Sequence, residues 1–228
     1  WRHPDEETVK AHEVIDGKGR FLIPGLVDSH VHIESSMMTP GNFAKAVIPH
    51  GTTTVITDPH EMGNVYGVEG VRYMHDAGNG LPMCQYIDIP SCVPSVPGLE
   101  NTGADFGALE IEELAGLERV IGLAEVMSYI DVIHGEDRMM DIIDVAESHG
   151  LYLHAPSVTG RELSAYLCAG PNTCHETREA GEAIEKYRSG MRLDARDSSI
   201  TKNVKEVWKG VKNCKFFDNL SFCTDDRE

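Results

Sequence analysis

The sequence predicts a (β/α)8 barrel, and three observations predict it. Short apolar runs of strand character alternate with longer segments of helical spacing along almost the whole chain. Eight such runs occur in order, and strands alternating with helices imply parallel strands joined by right-handed crossovers. Polar side chains of ligand type stand at the ends of the runs, where barrels of this kind carry their chemistry. Periodicity alone leaves a doubly wound open sheet as the alternative.

The strand runs are FLIPGLVDS (21–29), TTVIT (53–57), CQYIDI (84–89), RVIGLAE (119–125), LYLH (151–154), the weak PNTC (171–174), MRLDA (191–195) and LSFCT (220–224). Between them, helical spacing covers 40–48, 67–77, 107–117, 136–148, 160–168, 176–189 and 199–210. Residues 1–20 read as a polar lead-in, frayed over 1–8, and 21–228 as the barrel core. No helix follows the eighth run, so the expected barrel is incomplete. Its first and eighth strands would expose apolar surface, which predicts self-association into a homo-oligomer.

Composition bounds the function. The 228 residues carry a formal net charge of −17, with 37 acidic against 20 basic side chains. That argues against nucleic acid or an anionic membrane as partner, since both demand a basic face. No stretch approaches the roughly 18 consecutive apolar residues of a membrane helix. The six cysteines show neither a CxxC pair nor a dense framework, which predicts reduced thiols and a cytoplasmic protein.

The strand ends carry the chemistry. His30 and His32 are two apart, so on a strand both imidazoles face one point, an arrangement that suits a divalent metal. Alone, the HxH string is as compatible with two histidines capping a strand. The other ends shift that balance. Strand two leads into Asp58-Pro59-His60-Glu61, strand four ends in Glu125, strand five in His154, strand six in His175-Glu176 and strand eight in Asp225-Asp226. Four histidines and two carboxylates at successive strand ends form a nest for two ions, and the two oxygens of Glu125 suit a bridge between them.

The string PGLVDSHVHIESSMMTP (24–40) is followed by HGTTTVITDPHEMGNV (50–65), PSCVPS (90–95), GLAEVM (122–127), HAP (154–156), HE (175–176) and CTDDR (223–227). In this order the strings resemble the adenine deaminase family of the amidohydrolase superfamily, from about Val14 to Arg227. The resemblance implies a barrel of the metal-dependent hydrolase type over 21–228, with residues 1–20 the remnant of an N-terminal β-sandwich or linker, and the other sandwich strands and the final helix outside this chain. It implies two divalent ions, manganese or iron with zinc as the other option, held by His30, His32, Glu125, His154, His175 and Asp225. Glu125 would stand where many relatives bridge with a carboxylated lysine. The substrate implied is a small purine, adenine, hydrolysed to hypoxanthine and ammonia. Asp225 would relay the proton, Glu61 and His60 would assist proton transfer, and Glu34 and Ser91 would contact substrate.

The chain departs from that family's pattern at three places. Tyr152-Leu153 replaces Asp-Gly before HAP, Cys174 replaces Asp before HE, and Asp197-Ser198 replaces Glu-Gly after Arg196. Cys174 reads as a buried inert thiol, with a soft accessory ligand as the alternative. His3, His12, His50, His75, His134 and His149 lie away from strand ends and read as solvent-facing. Two other functions stay open at this stage. One is another amidohydrolase reaction on a cyclic amide or related C–N bond; the other is an inactive relative. The cytidine-deaminase pattern is excluded, because His32-Ile33-Glu34 has no PCxxC to follow it.

Overall fold

The structure, a computed structural model, describes residues 11–155 and 158–227. The expectations for residues 1–8, His3 and Pro156 lie outside those residues. Residues 11–25 form neither helix nor strand, and Phe21, Leu22 and Ile23 are exposed. The first strand is therefore β1 (Leu26–His32), not 21–29. Pro24 cannot donate to a ladder, and the first amide bound to the neighbouring strand region is that of Leu26, which donates to the Gly51 carbonyl at 2.8 Å.

The other strands follow the predicted order: β2 (Thr52–Thr57), β3 (Cys84–Ile89), β4 (Val120–Leu123), β5 (Tyr152–Ala155), β6 (Thr173–Cys174), β7 (Arg192–Arg196), β8 (Leu220–Cys223) and β9 (Asp225–Asp226). Every pair is parallel, and the order β8-β7-β6-β5-β4-β3-β2-β1-β9 brings the end of the chain back to its first strand. β9 continues β8 after a turn, and pairs Asp225 with Val31 and Asp226 with His32. The turn is made by Asp225 itself, at φ 55, a left-handed conformation that aspartate tolerates better than most residues. The barrel thus closes at its C-terminal mouth.

Below the mouth, β1 and β8 are tied by side chains instead of a ladder. Ser29 Oγ donates to the Phe222 carbonyl at 3.0 Å, and Thr224 donates both its amide and its hydroxyl to Asp28. On the outer side of this seam lies a groove of about 360 Å3 lined by Leu26, Val27 and Phe222, all of them exposed. Among the described residues no helix follows β8.

The helices are α1 (Pro40–Val47), α2 (His60–Asp76), α3 (Ala108–Ala115), α4 (Tyr129–His134), α5 (Asp137–Ser148), α6 (Gly160–Cys168), α7 (Ala180–Arg188) and α8 (Val204–Val211). α2 begins at His60, seven residues before the predicted start, and breaks at Gly67, whose φ of 63 and ψ of −149 are not helical. Only the part after this kink has regular apolar spacing, so only that part was legible as a helix. None of the described helices is long and apolar enough to cross a membrane.

The apolar core lies between strands and helices, as a parallel barrel requires. Its largest part joins Ile87, Ile89, Leu123 and Leu153 on the strands to Ile111, Ile142 and Tyr166 on the helices. A second part sets Val31, Ile33 and Val55 against Phe43 and Met74. Because Val31 and Ile33 are packed outward, alternation turns His30 and His32 inward.

Candidate metal centre

His30 and His32 stand side by side at the top of β1, 1% and 2% exposed. His32 Nδ1 lies 2.8 Å from the Asp58 carbonyl, which can only accept, so Nδ1 carries a proton and Nε2 is the nitrogen directed into the mouth. That Nε2 lies 3.1 Å from His30 Nε2 and 3.1 Å from Asp225 Oδ1. Two ring nitrogens meeting in this way need a proton or a cation between them.

The second pair repeats the pattern. His154 Nδ1 is 2.6 Å from Thr173 Oγ1, and Nε2 faces His175 Nδ1 at very short range. The rings of His30, His154 and His175 stack with centroids 4.4 to 4.7 Å apart, and one nitrogen of each lies within 4.8 Å of the others.

Glu125, just past β4, lies between the two sets. Its Oε1 is 3.1 Å from His175 Nε2, while Oε2 is 4.0 Å from His32 Nε2 and 3.7 Å from His60 Nδ1. Asp225 completes the group. Its Oδ1 faces His32 and His30, and its Oδ2 accepts a 2.6 Å bond from Arg196 Nη1.

Electrostatics follow from this crowding. Burial, then His175 and His154, holds His30 well below the ordinary histidine value, and burial with His175 holds His154 down at about 3. Burial opposes charge on His175 too, but hydrogen bonds to Glu125 and Glu176 push it up to about 10. Asp225 falls to about 2, because bonding to His32 and the charge of His175 outweigh burial. His32 is likewise raised, against burial, by its bond with Asp225 and the charge of Asp58, so two rings of the set are held neutral and two are held protonated by neighbouring carboxylates. Imidazole nitrogens and carboxylate oxygens are the donor set of divalent transition-metal ions, and such an ion would take the place of the protons on His32 and His175. The facing nitrogens and the partnerless buried Nδ1 of His30 fit such ions.

The other predicted residues line the same mouth. His60 opens α2, with Nδ1 3.1 Å from Asp58 Oδ2 and Nε2 3.7 Å from Glu61 Oε2. Burial acts against its charge, but Asp58 raises it to about 9, so it is an imidazolium at neutral pH. Glu61 Oε1 accepts from Ser35 Oγ at 2.9 Å, and the same hydroxyl lies 2.6 Å from Asp226 Oδ1. Glu34 faces Glu61 without a well-formed hydrogen bond, and burial with that neighbouring carboxylate raises it to about 8. Ser91 is fully buried and donates its proton to the Glu125 carbonyl at 2.8 Å. It therefore fixes the backbone beneath Glu125 and retains only its lone pairs for a substrate.

One expectation changes, that for His75; Cys174 is the buried thiol expected, and Tyr152 acquires a partner. Cys174 faces outward, 3.2 Å from Nζ of the fully buried Lys186 on α7, because its neighbours Thr173 and His175 take the inner side. It is not placed to ligate at the mouth. His75 is buried, with Nε2 2.6 Å from the Glu118 carbonyl and Nδ1 2.8 Å from Asp76. Tyr152, at a departure from the family pattern, donates to Asp88 Oδ2 at 2.5 Å inside the barrel, where Gly122 leaves room for it.

Asp58, Thr173 and Arg196, which contact His32, His154 and Asp225, are not among the residues the sequence singled out. Asp58 had a legible signal, being the first residue after β2. The roles of Thr173 and Arg196 depend on partners far away in sequence.

The barrel and its carboxylate-linked histidine sets define the class: the chain belongs to the amidohydrolase family, whose sequence model matches residues 21–226. A solved amidohydrolase from a Sargasso Sea environmental sample superimposes with a TM-score of 0.61 at 14% identity, over 94% of this chain and 60% of that one, which shows the shared fold. Among curated proteins, the adenine deaminase of Staphylothermus marinus is 45% identical over 93% of this chain and 36% of its own length. That of Oleidesulfovibrio alaskensis is 42% identical over 97% of this chain and 39% of its own. The chain thus spans little more than a third of the length of the curated relatives it matches.

Proposed function

We propose that this site hydrolyses adenine to hypoxanthine and ammonia. The observation that carries the reading is the position of Glu125, whose two oxygens address the His32 side and the His175 side separately. The similarity to proteins named adenine deaminase supports the choice of substrate.

In this reading His30, His32 and Asp225 would hold one divalent ion, His154 and His175 would hold another, and Glu125, between the two sets, would serve both. Manganese or iron suits the nitrogen and oxygen donors, with zinc as the other option. Such ions acidify water, lowering its pKa from 15.7 toward roughly 7, and act as Lewis acids.

The protein's own groups then divide the proton work. Asp225 Oδ1 faces the centre of the mouth while Arg196 fixes Oδ2, so Oδ1 accepts the proton of the attacking water and delivers it to the amine leaving C6. Glu61, anchored by Ser35 and adjoining the cationic His60, carries the proton required at the ring nitrogen. Glu34, at about 8, is a neutral acid near pH 7 and offers a hydrogen bond to a purine nitrogen. Ser91 supports Glu125 and accepts from a substrate N–H. The exposed apolar seam between β1 and β8 supports self-association, and a cytoplasmic setting suits the reduced thiols.

The test is ammonia release from adenine by the chain reconstituted with manganese or ferrous iron. Metal-dependent release that disappears in Asp225→Asn supports the proposal. Folded protein holding two ions without release points to another C–N substrate. Protein that holds no ion overturns the reading.

A further inference from the structure

Beside the two proposed ion positions lies a second group of donors, of which the reaction above uses only Glu125 as a ligand. Asp58 follows β2, His60 opens α2, Cys92 lies in the loop after β3, and Glu125 follows β4, so three neighbouring strand ends converge there. One donor atom from each of the four lies within 4.8 Å of the others. Asp58 is fully buried and Cys92 is 2% exposed. Asp58 Oδ2 is engaged by His60 Nδ1 at 3.1 Å, whereas Oδ1 is buried without a hydrogen-bond partner. A carboxylate oxygen buried and unpaired is costly, and a cation removes that cost.

We propose that Asp58, His60 and Cys92, with Glu125 at the edge, form a third cation site that takes a thiophilic divalent ion such as zinc, cobalt or cadmium. The mixed sulfur, nitrogen and oxygen set is what such ions prefer, and it differs from the sulfur-free donors of the neighbouring pair. On binding, the Cys92 S–H bond gives way to a sulfur–metal bond and the ligating nitrogen of His60 gives up its N–H proton, so two protons leave to the buffer. The ion would take His60, which the deaminase reading gives to proton transfer. An excess of a thiophilic ion therefore inhibits turnover in that reading, although the site itself does not depend on it.

The test is titration of the full chain with cobalt(II), counting bound equivalents by elemental analysis after dialysis and following thiolate-to-cobalt charge-transfer absorption. The expected result is a third equivalent that brings in the thiolate band. Cys92→Ser removes both while leaving two equivalents, and Asp58→Asn weakens the same equivalent should the serine variant fold poorly. The Cys84→Ser/Cys168→Ser protein, lacking the exposed thiols, keeps the band. Two equivalents without a thiolate band in the wild type, or a band that survives Cys92→Ser, overturns the third site alone. No bound cobalt at all overturns both this site and the two-ion reading.

Discussion

Thr173→Val should weaken one of the two proposed ion positions and spare the other. Thr173 Oγ1 lies 2.6 Å from His154 Nδ1 and 3.4 Å from the Leu153 carbonyl, with Thr173 3% and His154 2% exposed. With His154 Nε2 serving as a ligand, the ring proton sits on Nδ1, a lone pair of the Thr173 oxygen accepts it, and the hydroxyl proton turns to Leu153. That bond selects the tautomer in which His154 Nε2 is a lone pair directed into the mouth. Valine keeps the shape and removes the acceptor. A buried N–H left unpaired costs about 1–3 kcal/mol. Loss of a group that orients a metal-ligating histidine weakens affinity by about 10–100-fold, equivalent to about 1.4–2.7 kcal/mol at 1.36 kcal/mol per tenfold, so the two routes agree. Manganese binding should be followed by competition with a fluorescent chelator, with unfolding of the metal-free proteins as the control. The account expects one site weakened by that factor and the site of His30, His32 and Asp225 little changed. Equal weakening of both, or of neither, would refute the tautomer argument.

Other substitutions probe the surrounding structure. In Gly122→Ala the new Cβ would stand 2.5 Å from Asp88 Oδ1 and 2.7 Å from the Tyr152 ring; overpacking of that kind costs about 1–3 kcal/mol in urea unfolding, and an unchanged midpoint would contradict the packing described. Asp88 is raised well above the ordinary carboxylate value by burial and by Asp58 and Asp194, against its bond from Tyr152. Its contribution to stability is therefore complete below its unfolded value of about 3.9 and is lost as pH rises through the folded value, by up to about 1.4 kcal/mol per pH unit. Asp88→Asn should gain on the wild type progressively from pH 4 upward, and a gap that does not change with pH would sink this. Arg196→Gln leaves the buried Asp225 and the partly buried Glu176 without their shared cation, at a cost of about 3 kcal/mol in the metal-free protein. Because a bound cation replaces some of that lost charge, the difference in Tm should shrink on adding manganese, and a constant difference would count against Asp225 as a ligand.

The barrel was legible because each strand run ends in polar residues and each helix restores a 3.6-residue spacing. Its details failed where local signals were weak or misleading. Pro24-Gly25 lies inside an apolar string, so the first strand was drawn too early, and the kink at Gly67 hid the first turns of α2. α4 has only six residues, too few for a periodic signal, and lies where the sequence predicts neither strand nor helix. The six predicted metal ligands do meet at one mouth, since strand ends are fixed by the topology alone. What was not legible is the support beneath them. The contacts of His154 with Thr173 and of Arg196 with Asp225 join residues 19 and 29 positions apart, across barrel neighbours that no local pattern reveals. The outward turn of Cys174 did follow from strand alternation once His175 was assigned inward.

The most direct test of the central claim is a crystal structure of the manganese-loaded chain, with anomalous difference density at the barrel mouth. The account predicts two peaks, one on each side of Glu125, the first bounded by His30, His32 and Asp225 and the second by His154 and His175. A single peak not touching Glu125, or a mouth with no peak in protein that is folded as described, would contradict it.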